Sequence, residues 1–239
     1  MTRKACNKVL FIILLIAAGI PLAAQKPYYV SGGEWIFSGS QVYYNATRLN
    51  TNMRFTLFFH IEEELHYDFS RLAGVYTGLA IRNIGLILDD YYEPLADNVK
   101  IKHRSYSIGI PGAIKIGPLN KNTFFYGGGE IEYLFHYKQK LFYDQEKWKF
   151  TEWNSKRVNR LSPSVFFGFQ FKNGVNIKAK WYLEDFLNST FSGTDFGRPV
   201  DYSIYSGSRI FYVSLSMKVG QKEIRKILKD DEKVYNASL

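Results

Sequence analysis

His103-Arg104-Ser105 sets an imidazole and a hydroxyl two residues apart. On a strand both side chains point to one face, the arrangement a base and a nucleophile need for acyl transfer. Glu93, Glu130 and Glu132 are the carboxylates that could orient the imidazole, but the three-residue match fixes no third member. Lipid-ester hydrolysis therefore stands as an alternative, and the expectation is a chain without a catalytic centre. His60, His66 and His136 lie among acids, which is metal-ligand chemistry in principle; paired polar residues inside a fold give the same pattern, and no metal is expected. Gly127-Gly128-Gly129 sits inside an alternating stretch and reads as a bulge or close packing, not as a phosphate-binding loop. Cys6 is the single cysteine and precedes the first apolar run, which excludes disulfide, thiolate and cysteine-metal chemistry from the remainder. No cofactor is implied.

The elements that must position these residues are strands. Residues 52–70, NMRFTLFFHIEEELHYDFS, keep a period of two, with Phe55, Leu57, Phe59, Ile61, Leu65 and Tyr67 on one face. Arg54, His60, Glu62, Glu64, His66 and Asp68 occupy the other. Similar alternation over residues 34–44, 74–88, 101–117, 123–143, 158–172, 175–187 and 208–219 makes eight strands. Pro111 within one of them implies a bulge or a weak pair. Short turns at 70–73, 118–122 and 173–174 alternate with longer polar segments at 45–51, 89–100, 144–157 and 188–207. Outer-membrane barrels distribute periplasmic turns and extracellular loops in this way.

The ends fit the same destination. Arg3, Lys4 and Lys8, an apolar run over 9–20 and the pair Ala23-Ala24 read as a cleaved signal peptide over residues 1–24. Its removal would lower the formal charge from +9 to +6, since three cations and no acid leave. The remaining charges alternate with apolar residues and form no basic run outside the tail, so nucleic acid is not an expected partner. Nineteen Phe, eighteen Tyr and four Trp, with no later apolar run of helix-spanning length, suit lipid contact through strands.

The expectation is thus an all-β, eight-stranded antiparallel up-and-down transmembrane β-barrel over residues 34–220. A periplasmic leader over 25–33 precedes it, and a short charged periplasmic tail over 221–239 follows. Volume decides which face looks outward. A barrel of eight strands has room inside only for side chains, and one face repeatedly offers Gly78, Ala80, Ser107, Gly109, Gly168, Ser214 and Ser216. The bulky apolar face therefore meets lipid. The lumen is expected to hold a paired charge network of Arg54, Glu62, Glu64, Asp68, Arg82, Glu130, Glu132, Lys138, Lys178 and Lys180, with Lys115, Lys140, Lys218 and Glu184 facing inward too. Glu63 breaks the pattern on the lipid face. It could lie above the hydrocarbon, beside a phase-resetting bulge, or in a turn at 62–64 that splits the strand.

The segments RFTLFFHIEEELHYDFS, GVYTGLAIRNIGLI and HRSYSIGIPGAIKIG resemble the Bacteroidetes outer-membrane β-barrel proteins, the porin-like group that includes PorT-type proteins. The resemblance implies an eight-stranded barrel in the bacterial outer membrane, without assigned catalysis, and links PorT-type members to secretion and gliding machinery. It adds envelope or secretion-machinery proteins to outer-membrane lipid as candidate partners. Trp148, Phe150 and Trp153, with Lys147 and Lys149, are the candidate contact residues on an extracellular loop. The expected function is a non-catalytic integral outer-membrane protein with a plugged lumen; a narrow porin-like transporter and a lipid-modifying hydrolase are the alternatives.

Overall fold

In the computed structural model of the chain, the described residues are 26–93, 96–143 and 146–220. The signal peptide expected over 1–24 and the tail expected over 221–239 lie outside them. The strands are β1 (Tyr28–Tyr44), β2 (Thr47–Arg48), β3 (Arg54–Thr56), β4 (Ile61–Asp68), β5 (Ala73–Glu93), β6 (Ala96–Ile116), β7 (Phe124–Tyr143), β8 (Glu146–Trp153), β9 (Leu161–Gln170), β10 (Val175–Tyr182), β11 (Ser192–Asp195), β12 (Arg198–Asp201) and β13 (Tyr205–Gly220). Around the main sheet the order is β13, β10, β9, β7, β6, β5, β4, β1, and β1 pairs back onto β13 to close it. With β3 and β4 as two pieces of one stave, this is the eight-stranded antiparallel barrel.

Its faces are inverted relative to a soluble barrel. Ile110, Ile114, Ile116, Phe125, Ile131 and Phe167 on the outside are 60–71% exposed, while Arg82, Lys115 and Glu132 on the inside are fully buried. A continuous apolar girdle of this kind is built for lipid. On β6 it runs from Ile108 to Ile116, eight steps of about 3.4 Å that cover roughly 21 Å of height at a tilt of about 40°.

Four features depart from the sequence reading. First, β1 begins at Tyr28, so residues 28–33 belong to the barrel wall, where Gly32 opposes Glu62 on one side and Lys218 on the other. The leader expected over 25–33 is mostly strand. A Cβ on Gly32 would lie 3.2 Å from the Lys218 side chain, so glycine lets these staves close. Second, the polar segments at 89–100 and 144–157 continue the ladder instead of looping: β5 and β6 run on to Glu93 and Ala96, and β8 pairs with β7 from Tyr143↔Glu146 to His136↔Trp153. The ladder is made by backbone groups, so strands can continue above a membrane without a lipid-facing apolar face.

Third, the stave over 52–70 breaks at residues 57–60, where Phe59 takes a left-handed φ of 67°. The break does not change the phase, because Arg54 and Glu62 are both buried. Glu63 stays outward and its carboxylate accepts a bond from the Ser31 hydroxyl at 2.8 Å, with no turn at 62–64. Above the pair Ile61↔Ile81 the β4–β5 ladder ends. Arg54 spans the opened seam, donating to the Asn83 carbonyl oxygen at 2.9 Å and to the Asn83 side chain at 2.5 Å. Fourth, β7 carries a bulge: Tyr106 opposes His136 and Ser107 opposes Leu134, leaving Phe135 extra. One extra residue turns every later side chain of β7 to the other face.

Candidate functional site

The lumen is stratified. Its middle is ionic and centred on Arg82, whose Nε donates to Glu34 at 2.8 Å while its two Nη groups pair with Glu62 and Glu130, and Glu132 lies 3.9 Å away. Lys178 bridges Glu34 and Glu62, each at 2.6 Å, and Lys180 joins Glu130 at 2.8 Å to Glu132. Lys218 continues the network toward the turn end through Glu62 and Glu64. Ser214 donates to Glu34 and Tyr182 donates to Glu132, occupying lone pairs the cations leave. Gly109 makes room for this packing: a Cβ there would stand 2.1 Å from a Glu130 carboxylate oxygen. At the turn end Lys115 pairs with Asp68 at 2.6 Å and lies 2.8 Å from His66 Nδ1, and His66 Nε2 lies 2.9 Å from Glu64.

Of the residues expected in the network, Glu62, Glu64, Asp68, Arg82, Glu130, Glu132, Lys178 and Lys180 share the lumen. Arg54 is buried, but at the seam, on Asn83. Lys138 and Lys140 are outside, because the bulge at Phe135 inverts the phase and puts Tyr137 and Gln139 inward. Glu184 is exposed as well. Glu34, placed on the inward face by its strand's alternation, is a central member that charge pairing alone did not single out.

Above the ionic layer the lumen is apolar, which the sequence reading did not anticipate. Ile84, Leu86, Leu88, Leu134, Tyr137, Ile210 and Tyr212 pack there with Phe186, Leu187 and Tyr202, which fold over the mouth from the long segment before β13. Arg157 fastens that cover, donating to Asp195 at 2.7 Å, to Glu152 at 2.6 Å and to the Thr194 carbonyl at 2.8 Å, with its guanidinium over Phe150 and Phe191. Burial alone would lower the Arg157 pKa, but the Asp195 hydrogen bond and the charges of Asp195 and Glu152 raise it above the ordinary arginine value.

The candidate catalytic pair does not assemble. His103 and Ser105 both face inward, yet His103 Nδ1 lies 2.6 Å from the Tyr137 hydroxyl, and Ser105 donates to the backbone carbonyls of Tyr106 and His136. The three histidines separate: His60 and His66 are buried at different levels, and His136 stacks outside between Tyr106 and Trp153. Among the described residues no cluster of three or more histidine, cysteine or acidic side chains is placed to hold a metal ion. The aromatic contact residues also divide. Phe150 leans on the inner apolar cluster, whereas Trp153 is 68% exposed and stacks on Phe135 outside.

No family model and no curated protein matches the chain. Among solved structures it is similar to the attachment invasion locus protein Ail of Yersinia pestis in complex with the heparin analogue sucrose octasulfate, at 14% identity over 80% of this chain and 99% of that one, with a TM-score of 0.37. The outer membrane protein OprG of Pseudomonas aeruginosa is similar at 12% identity over 81% and 95%, with a TM-score of 0.36. Likenesses this distant assign no function.

Proposed function

We propose that this chain is an integral, non-catalytic β-barrel of the bacterial outer membrane, closed through its lumen, that presents its hairpin end to the cell exterior as an interaction surface. The observation that carries the reading is the inversion of faces, with an ion network inside and isoleucine and phenylalanine outside. In an aqueous compartment that girdle would aggregate, and only an apolar solvent accounts for it. The closed lumen is supported by two stacked layers, paired charges below and the apolar cluster with its Arg157-fastened cover above. The non-catalytic reading is supported by the separate engagements of His103 and Ser105. The resemblance to PorT-type proteins makes envelope and secretion-machinery proteins the partners to test first.

Expression of the full chain followed by envelope fractionation tests the location: it should appear in the outer-membrane fraction with heat-modifiable gel mobility. Recovery as a soluble protein lacking that shift would overturn the reading. Planar-bilayer recordings of the folded protein should show no steady ion current, and reproducible conductance would replace the closed barrel with a narrow transporter.

A further inference from the structure

The phase change on β7 creates a surface that the lumen network does not use. Above the girdle, the outer face of β6, β7 and β8 carries Lys102, Arg104, Lys138, Lys140, Lys147 and Lys149. They stand in cross-strand register: Lys102 opposes Lys140, Lys140 opposes Lys149, and Arg104 opposes Lys138. Like charges directly opposite one another destabilise a sheet. Among the described residues none of these cations has a carboxylate within ion-pair distance, although every lumen lysine of the network has at least one. The Arg104 Nε is buried with no hydrogen-bond partner. Burial, followed by the like charges of Lys100, Arg104, Lys147 and Arg54, lowers the Lys102 pKa, and burial with Arg104, Lys147, Lys149 and Lys102 does the same at Lys140.

Position identifies what relieves this repulsion. Arg104 lies four residues above Ile108, the last exposed isoleucine of the girdle on β6, or about 10 Å higher at the barrel's tilt. The headgroup layer reaches roughly 5–8 Å beyond the hydrocarbon, so the long Arg104 and Lys138 side chains reach down to it, and Lys102 and Lys140 stand about 5 Å further up, at its outer edge. Directly beside the column the break in the β3–β4 stave projects Phe58 and Phe59, 75% and 66% exposed, and Phe59 packs edge-on against Tyr106. Lys138 in turn covers the Tyr106 ring at 5.4 Å. An apolar ledge thus stands next to a cationic column at one membrane boundary.

We propose that this outer face binds the phosphate groups of an anionic lipid in the outer leaflet, with the Phe58–Phe59 ledge against its acyl chains. The lysines act as point charges, and the Arg104 fork can take two phosphate oxygens at once. The proposal rests on the membrane reading above. Heat-modifiable mobility of each variant therefore separates loss of this site from loss of the barrel.

The full folded chain in nonionic detergent is titrated with bisphosphorylated lipid A, with the same lipid after removal of its phosphates, with inorganic phosphate and with heparin, and bound species are read by native mass spectrometry. The wild type should bind the bisphosphorylated lipid at least tenfold more tightly than the dephosphorylated form, and more tightly than inorganic phosphate or heparin. Lys102→Gln with Lys140→Gln should weaken that binding at least tenfold while mobility remains heat-modifiable. Lys140→Glu, which places an acid between Lys102 and Lys149, should abolish lipid selectivity yet leave the lipid-free barrel no less stable. Equal binding of the phosphate-free lipid, undiminished binding by the double variant, or preference for heparin would each overturn the proposal.

Discussion

Replacing Arg82 by methionine keeps much of the side chain's volume and removes its charge from the centre of the lumen. The guanidinium contacts Glu34, Glu62 and Glu130, with Glu132 nearby, and all of these side chains are 0–3% exposed. Breaking a buried ion pair costs about 3–5 kcal/mol, because the abandoned partner stays desolvated. Here each abandoned carboxylate keeps at least one lysine: Lys178 remains on Glu34 and Glu62, Lys218 also on Glu62, and Lys180 on Glu130 and Glu132. The connected group of Arg82, Lys178, Lys180 and Lys218 against Glu34, Glu62, Glu64, Glu130 and Glu132 goes from four cations and five anions to three and five, a net −1 becoming −2. The expected loss is therefore at the lower end, about 3 kcal/mol. Urea unfolding of the barrel in vesicles, followed by gel mobility and tryptophan fluorescence, measures it. Adding Glu34→Gln restores the net charge and should recover on the order of 1–2 kcal/mol, a coupling that a double-mutant cycle isolates. Arg82→Lys should fall between, since one ammonium cannot serve three carboxylates in a fixed fork. A loss below about 1 kcal/mol, or additivity of the two substitutions within about 0.5 kcal/mol, would refute the idea of a network held together by this arginine.

Arg54→Leu should destabilise the barrel by about 1.5–3 kcal/mol, the range for charge-assisted hydrogen bonds whose buried acceptor is left bare, and should speed exchange of amides bordering the seam at residues 82–87; protection unchanged there would count against the seam as described. Glu63→Leu should raise stability by about 1 kcal/mol in vesicles, since a carboxylate on the lipid side carries a cost that the Ser31 bond offsets only in part; a destabilised variant would mean that this position faces water. Burial and then like charge hold Lys140 below the ordinary 10.5, so the unfolded chain binds more protons just beneath that value and stability rises with pH there. Lys140→Gln should accordingly be more stable than wild type by about 0.2–1 kcal/mol at pH 8, with the gap closing as pH passes 10.5; urea midpoints across that range that keep a constant gap would contradict it.

Alternation on β6, β9, β10 and β13 assigns the faces found, from Ile108 and Phe167 outside to Ser107 and Ser214 inside. It works there because lipid and a crowded lumen impose opposite demands on alternate positions. Above the girdle that contrast disappears, because no hydrocarbon meets the outer face, and residues 89–100 and 144–157 look like loops although their backbones continue the ladder. The bulge left a trace in mid-strand, the run Tyr133-Leu134-Phe135, three bulky residues in succession away from the bulky ends Phe124-Phe125-Tyr126 and Leu141-Phe142-Tyr143. Without that reset, Lys138 and Lys140 fall on the face of Glu130 and Glu132 and look like their natural partners. Glu34 was hidden for a different reason. It opened the expected first strand, whereas six further residues precede it in the barrel wall.

The extra residue at Phe135 makes β7 a strand of two parities. Below it the outward positions are odd and include Phe125, Ile131 and Tyr133; above it they are even and include Lys138 and Lys140, and the handover occupies a single residue. Removing Phe135 would shorten the chain by one residue and leave its composition nearly unchanged. It would also exchange Lys138 for Tyr137 at the wall, drawing the lysines into an apolar lumen and expelling an aromatic ring. Related sequences aligned across this point with one residue fewer therefore describe a surface of opposite character, even where every neighbouring letter agrees.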